Sequence, residues 1–91
     1  MEPVCRAEIR VIGRVQGVGY RYSTLRFASS LELTGYVKNL PDQSVFIVAQ
    51  GSQDSVRKLI EWCKTGPAGA SVESVECTFH PVRDYRIFQI R

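Results

Sequence analysis

An α+β fold, one sheet with two helices, follows from three features of this 91-residue sequence. Apolar and polar residues alternate in several stretches, two intervening stretches carry apolar residues at helical spacing, and glycine, proline or short polar connectors mark the junctions. The composition supports the same class: 44% hydrophobic and 23% charged residues, with four Tyr, four Phe and one Trp to fill a core, exclude a disordered chain. The length suits a single domain spanning residues 1–91. No run approaches the ~18 apolar residues of a membrane span, and Met1-Glu2-Pro3-Val4-Cys5 lacks the basic start and apolar stretch of a secretory signal.

Residues 6–15 alternate, with Ala7, Ile9, Val11, Gly13 and Val15 on one face and Arg6, Glu8, Arg10, Ile12 and Arg14 on the other, which predicts a strand with one buried side. Gln16-Gly17-Val18-Gly19 is too glycine-rich to continue it. From Tyr20 the period changes, and Tyr22, Leu25, Ala28 and Leu31, with Phe27 alongside, predict a helix that ends before Gly35. Strands over 35–40 and 44–50 flank Pro41-Asp42-Gln43 as a hairpin, with Val45, Ile47 and Ala49 on one face and Phe46 and Val48 on the other. Ser52 is the expected N-cap of a second helix whose stripe is Val56, Leu59, Ile60 and Cys63, stopped by Gly66 and Pro67. Residues 72–80 alternate again through Val75, Cys77 and Phe79, and 85–90 form a closing strand. The order is β-α-β-β-α-β plus a C-terminal strand: a ferredoxin-like split βαβ sandwich with two helices on one face of an antiparallel sheet. Such a fold hosts RNA-binding, metal-carrying and hydrolytic domains alike, so function has to come from particular residues.

The net charge of +3 arises from 12 basic and 9 acidic residues, and Lys occurs only at Lys38, Lys58 and Lys64. Arginine predominates, and its planar fork grips phosphate or carboxylate through two parallel hydrogen bonds. Cys5, Cys63 and Cys77 lack metal-ligand spacing and read as small buried hydrophobes of a reducing, cytoplasmic protein; a bridge between Cys5 and Cys77, both on strands, is the alternative.

The chemically informative stretch is Gly13-Arg14-Val15-Gln16-Gly17-Val18-Gly19-Tyr20-Arg21. A strand runs into a glycine loop and the loop into a helix, so backbone N–H groups and the positive end of the helix dipole converge on one point. That concavity suits a tetrahedral anion, and Arg21 in the first helical turn can set its guanidinium against the same anion. Other phosphate motifs fail: Gly19-Tyr20-Arg21 replaces the Gly-Lys-Ser/Thr of a P-loop, and Tyr22 occupies the third glycine of a dinucleotide fingerprint. No Ser, Cys or His stands beside an activating base, and one His with scattered carboxylates makes no metal cluster.

These residues resemble the acylphosphatase family. Besides the loop, the matching segments are Gly35-Tyr36-Val37-Lys38-Asn39-Leu40-Pro41-Asp42, Ser44-Val45, Ala49-Gln50-Gly51, Gly66-Pro67-Ala68-Gly69-Ala70-Ser71-Val72 and Phe88-Gln89-Ile90-Arg91. The resemblance implies hydrolysis of acyl phosphates to a carboxylate and inorganic phosphate, without metal or cofactor. It also implies that Arg21 binds the phosphate, that Asn39 positions the attacking water, and that the backbone of Gln16, Gly17, Val18, Gly19 and Tyr20 holds the phosphoryl oxygens. It further suggests a small-molecule enzyme, monomeric and cytoplasmic, engaging neither nucleic acid nor membrane. Four positions depart from the family pattern: Tyr20 stands for a usual Phe, Glu32 and Gln43 for usual glycines, and Phe46 for a usual acidic residue. A left-handed backbone at Glu32 would cost roughly 1 kcal/mol, with similar strain or an altered turn at Gln43.

Taken singly, Gly17 and Gly19 are read as a tight turn, Arg21 as an exposed helix residue and Asn39 as a turn-former before Leu40-Pro41; in combination they favour an anion site. Thr24 either bonds near that site or bonds its own helix. Trp62 belongs to the core, His80 to a strand end, and the arginines at 83, 86 and 91 to a solvated edge. An RNA-binding module would need basic and aromatic residues on the strand where Ser44-Val45-Phe46-Ile47-Val48-Ala49 supplies one aromatic and no base. A carbamoyl-phosphate-handling module of a larger maturation protein is the other rival, and a chain of this length favours a free-standing enzyme.

Overall fold

In a computed structural model, which describes residues 3–91, the elements follow one another as β1 (Val4–Arg14), α1 (Tyr20–Ser30), β2 (Thr34–Asn39), β3 (Val45–Ser52), α2 (Gln53–Cys63), β4 (Ser71–His80) and β5 (Phe88–Ile90). The reading of Met1 and Glu2 as part of a chain start without a signal lies outside the described residues. The strands form one sheet in the order β4-β1-β3-β2-β5. Both helices pack on one face of it, so the expected architecture is present.

The core lies between that face and the helices. Ala7, Ile9 and Val11 of β1, Val37 of β2 and Val45, Ile47 and Ala49 of β3 are all fully buried, which is the period-2 pattern of each strand. They meet Val56, Leu59 and Cys63 of α2, also fully buried. The Ser52 hydroxyl accepts a hydrogen bond from the Ser55 N–H at 3.2 Å, as an N-cap should.

Four features depart from the sequence reading. On α1 the buried residues are Tyr20, Thr24 and Ala28, while Tyr22 is 59% exposed. Steps of three residues lag a helix by about 60° each, so Tyr22, Leu25, Ala28 and Leu31 cannot share one face; steps of four hold the stripe better. Second, the last strand is only Phe88–Ile90 and pairs parallel with β2, so the sheet is mixed rather than wholly antiparallel. Residues 81–87 have a different task. β4 and β5 lie at opposite edges of the sheet, and the chain between them crosses the face that the helices leave open.

That crossing explains the third departure. Arg6, expected on a solvated face, is 4% exposed, because its Nε donates to the Pro81 carbonyl at 2.8 Å and its Nη1 to Glu8 at 2.9 Å. Gln50 is clamped likewise: its Nε2 donates to the Arg83 carbonyl at 2.6 Å and its Oε1 accepts from the Arg83 N–H at 2.8 Å. Tyr85 sits edge-on to Tyr36 at 6.3 Å instead of lying in a strand. Fourth, Arg91, placed on a solvated edge, stacks its guanidinium 3.9 Å from the Tyr36 ring centroid.

The three cysteines are free. Cys77 stands opposite Ile9 of β1, well along the strand from Cys5, whose partner is Gly51 on the other neighbour. A Cys5–Cys77 bridge is therefore not formed. Cys63 is buried, and burial pushes its thiol from 9.0 up to about 12. Glu32 and Gln43 both adopt left-handed backbone, with φ of 58° and 77°, at the end of α1 and the tip of the β2–β3 hairpin. Phe46 packs 6.4 Å from Tyr36 on the open face, under Lys38.

Candidate active site

β1 delivers the chain to the foot of α1 through residues 15–19, where Gly17 and Gly19 have φ of 77° and 76°. A side chain in that conformation costs about 1–2 kcal/mol, so the glycines hold the turn without strain. A Cβ at either position would meet nothing within 4 Å. Their faces are thus open, and a ligand atom can approach the backbone directly.

The two helices treat their N-termini differently. α2 is satisfied by its own chain, through the Ser52 hydroxyl and with Asp54 in its first turn. The N-cap of α1 is Gly19, which offers no side-chain cap, and no acidic residue lies in the helix's first turn. Its first helical bond runs from the Ser23 N–H to the Gly19 carbonyl at 3.0 Å, so the preceding amides lack a helical acceptor. Together with roughly half a positive charge from the helix dipole, these amides form a site for an anion.

A cavity of about 190 Å³ opens over this turn, lined by Gly17, Gly19, Arg21, Tyr22, Asn39 and Ile90, with Val15 and Tyr20 beneath. Arg21 is exposed and has no hydrogen-bond or ion-pair partner among the described residues. No carboxylate side chain lines the cavity to neutralise it. Asn39, the last residue of β2, shares this wall, and its buried Oδ1 has no hydrogen-bond partner. It is the one such side-chain atom among the described residues. Buried acceptors are nearly always paired, so an unpaired carbonyl at the wall of a cavity marks a place for a donor from outside the protein, such as water.

The sequence-predicted residues divide into three groups. Gly17, Gly19, Tyr20, Arg21 and Asn39 meet at the cavity. Gln16 turns its side chain elsewhere: its Nε2 donates to the Leu40 carbonyl at 2.8 Å and the Ser44 carbonyl at 2.9 Å. It thereby ties the glycine loop to the hairpin that carries Asn39. Val18 is half-buried and packs on the core near Gly69, outside the cavity wall. Neither Gln16 nor Val18 lines the cavity, although both belong to the loop beside it.

Two neighbours take structural parts. Tyr20 is buried, meets Trp62 in a tilted contact with ring centroids 5.3 Å apart, and donates its hydroxyl to the Cys63 carbonyl at 2.8 Å, so the group absent from a Phe finds a partner at the end of α2. Burial and that bond hold the phenol well above its usual pKa, hence neutral. Thr24 is fully buried and donates to the Tyr20 carbonyl at 2.7 Å, so it serves its own helix. Tyr22 and Ile90 were not identified as cavity residues from sequence. The parity of Ile90 with buried Phe88 was the available signal, but only the Val37–Ile90 register brings it to Asn39.

The hairpin has its own lock. Asp42 accepts from the N–H and hydroxyl of Ser44 and from Arg10, which also reaches Glu76 on β4 at 3.2 Å. Bonds from the Ser44 hydroxyl and Arg10 hold the Asp42 carboxyl down at about 2, from 3.8. Elsewhere, among the described residues, no three His, Cys, Asp or Glu side chains gather, and no helix is long and apolar enough to cross a membrane. A groove of about 380 Å³ between the helices, lined by Ser23, Arg26, Phe27, Ser30, Trp62 and Pro67, is larger but brings together no catalytic set.

Comparison with known proteins identifies the family and agrees with the fold. The acylphosphatase family profile matches residues 7–90. An acylphosphatase of Nostoc sp. is 45% identical over 86 residues, covering 94% of this chain and 85% of that protein. The solved acylphosphatase of Coxiella burnetii superposes with a TM-score of 0.94 at 41% identity, over 97% of this chain and 93% of its own. The structure of T. kodakarensis HypF, at 32% identity and a TM-score of 0.83, contains the same unit as 12% of its length. The chain belongs to the acylphosphatase family, hydrolases of acyl phosphates.

Proposed function

We propose that this cavity is where the chain hydrolyses acyl phosphates, with Arg21 and Asn39 as its catalytic residues and the amides of residues 16–20 as its phosphate cradle. The observation that carries the reading is the unpaired, buried Oδ1 of Asn39 beside an uncapped helix start and an unpaired arginine. The loop amides and the Arg21 fork hold the phosphoryl oxygens and take up their charge. Asn39 does not act as a base, because an amide takes no proton near neutral pH. Its Oδ1 accepts from a water and aims the lone pair at phosphorus.

The water oxygen bonds to phosphorus as the bond from phosphorus to the acyl oxygen breaks, and the electron pair leaves with the carboxylate. The water's proton passes to a phosphoryl oxygen, so acyl phosphate and water yield carboxylate and dihydrogen phosphate. The leaving group is good, so positioning and charge stabilisation suffice, as in other phosphoryl transfers. On this reading the enzyme needs no metal or cofactor, acts as a monomer of one domain over residues 1–91, and works in the cytoplasm on a small molecule rather than nucleic acid. The three free thiols support a reducing compartment.

The test is hydrolysis of benzoyl phosphate by wild type and Arg21→Ala, with and without a chelator. Loss of a preorganised charge-stabilising donor lowers turnover about 10²–10³-fold, and the chelator leaves the wild type unaffected. Near-wild-type turnover by Arg21→Ala would overturn the assignment of the site, and chelator sensitivity the metal-free mechanism.

A further inference from the structure

The cavity has two chemically different halves. Gly17, Gly19, Arg21 and Asn39 present N–H groups, a cation and an amide, whereas Tyr22 and Ile90 present apolar surface. Both reach solvent at its rim, Tyr22 being 59% and Ile90 39% exposed. Aromatic and aliphatic side chains beside a few convergent polar groups are the usual lining of a small-molecule site. At about 190 Å³ the cavity is also smaller than the roughly 300 Å³ at which pockets enclose a drug-sized ligand. It has room for the phosphoryl group, and the acyl group must extend over the rim.

The rim has a fixed form. Tyr22 sits in the first turn of α1, and Arg26, one turn on, lies 5.9 Å from its ring centroid. A cation against one side of the ring steadies it and leaves the rest of the ring to the cavity. Ile90 is held by the pairing of β5 with β2, opposite Val37 and two residues short of the level of Asn39. An aromatic plate and a branched aliphatic chain thus stand on two different elements beside the phosphate end. Neither offers a formal charge to a polar or anionic acyl group.

We infer that Tyr22 and Ile90 form the acyl-group subsite of the enzyme and select acyl phosphates whose acyl part is aromatic or bulky and apolar over small ones. The inference rests on the cavity being the site of hydrolysis. Contact with a half-exposed ring is worth about two- to tenfold in affinity, the range of an aromatic pair.

The experiment compares kcat/KM for benzoyl phosphate and acetyl phosphate in wild type, Tyr22→Ala, Tyr22→Phe and Ile90→Ala. Wild type prefers benzoyl phosphate after allowance for the two uncatalysed rates. The ratio falls about two- to tenfold in Tyr22→Ala, falls in Ile90→Ala, and is retained in Tyr22→Phe. A purely structural role would lower both substrates together and leave the ratio where it was. An unchanged ratio in both alanine variants overturns the subsite while leaving the phosphate cradle standing. Failure of wild type to hydrolyse either compound, or to be inhibited competitively by inorganic phosphate, instead overturns the underlying assignment of the cavity.

Discussion

Replacing Asn39 by alanine separates catalysis from stability, because the two should move in opposite directions. The side chain makes no hydrogen bond to another protein group, and its Oδ1 is buried without a partner. An unsatisfied buried acceptor costs about 1–3 kcal/mol, and a water entering the adjoining cavity recovers most of that. Alanine removes the acceptor and loses no protein hydrogen bond, so stability should stay level or rise by up to about 1 kcal/mol. For a domain of this size such a gain lifts Tm by about 4–8 °C. Activity should behave otherwise. A water no longer aimed at phosphorus, and one polar contact fewer in the transition state, should lower kcat about 10²–10³-fold. Benzoyl phosphate turnover and thermal unfolding, measured on one preparation, check both halves. A variant that loses stability along with activity would refute the reasoning, since Asn39 would then be a structural hairpin residue.

Other expectations follow from the backbone and the buried polar groups. Glu32→Gly and Gln43→Gly should each stabilise by about 1 kcal/mol, because φ of 58° and 77° is strained for a side chain and free for glycine; urea unfolding of the single and double variants measures it. Tyr20→Phe should destabilise by about 1 kcal/mol or slightly more, as the Cys63 carbonyl loses its donor, with a matching fall in Tm. The Asp42 carboxyl lies at about 2 when folded, against an ordinary 3.8, so its contribution is fully present above about pH 4 and is lost as the pH falls towards 2. Asp42→Asn should therefore flatten that part of an acid-unfolding curve and leave stability above pH 5 without this pH-dependent component.

What the sequence could tell depended on how far apart the cooperating residues are. Gly17, Gly19 and Arg21 stand within one turn, so local chemistry alone points to an anion cradle. Strands β1, β3 and β4 and helix α2 were legible because their periods are clean. Asn39 was legible only through the family resemblance, since nothing in a residue before Leu40-Pro41 says which face it takes. Arg6, Gln50 and Ile90 were not legible in their roles. Each depends on the crossing of residues 81–87 or on the parallel pairing of β5, and no local pattern encodes a connection between opposite sheet edges. The grouping of Tyr22 with Leu25, Ala28 and Leu31 on one helix face failed because a three-residue spacing approximates a helix stripe over one turn and leaves it over three.

A mechanism without a base places an unusual demand on the fold. If Asn39 only aims a water, it contributes geometry alone, and a shift of about 1 Å can cost on the order of 10²-fold in rate. The structure ties its hairpin down accordingly. Gln16 bonds two of the hairpin's carbonyls from the glycine loop, the Leu40 N–H bonds the Ser44 carbonyl at 2.9 Å, and Asp42 joins Ser44 to Arg10 on β1. The loop proposed to hold the phosphate and the hairpin proposed to position the water are thus fixed to each other by the side chain of Gln16, which does not line the cavity. Strain is kept away from the cavity: the left-handed positions at its wall are glycines, and the left-handed non-glycines are at Glu32 and the hairpin tip. Relaxing those two positions should therefore change how firmly the domain folds more than how it reacts, whereas loosening Gln16 should change how it reacts.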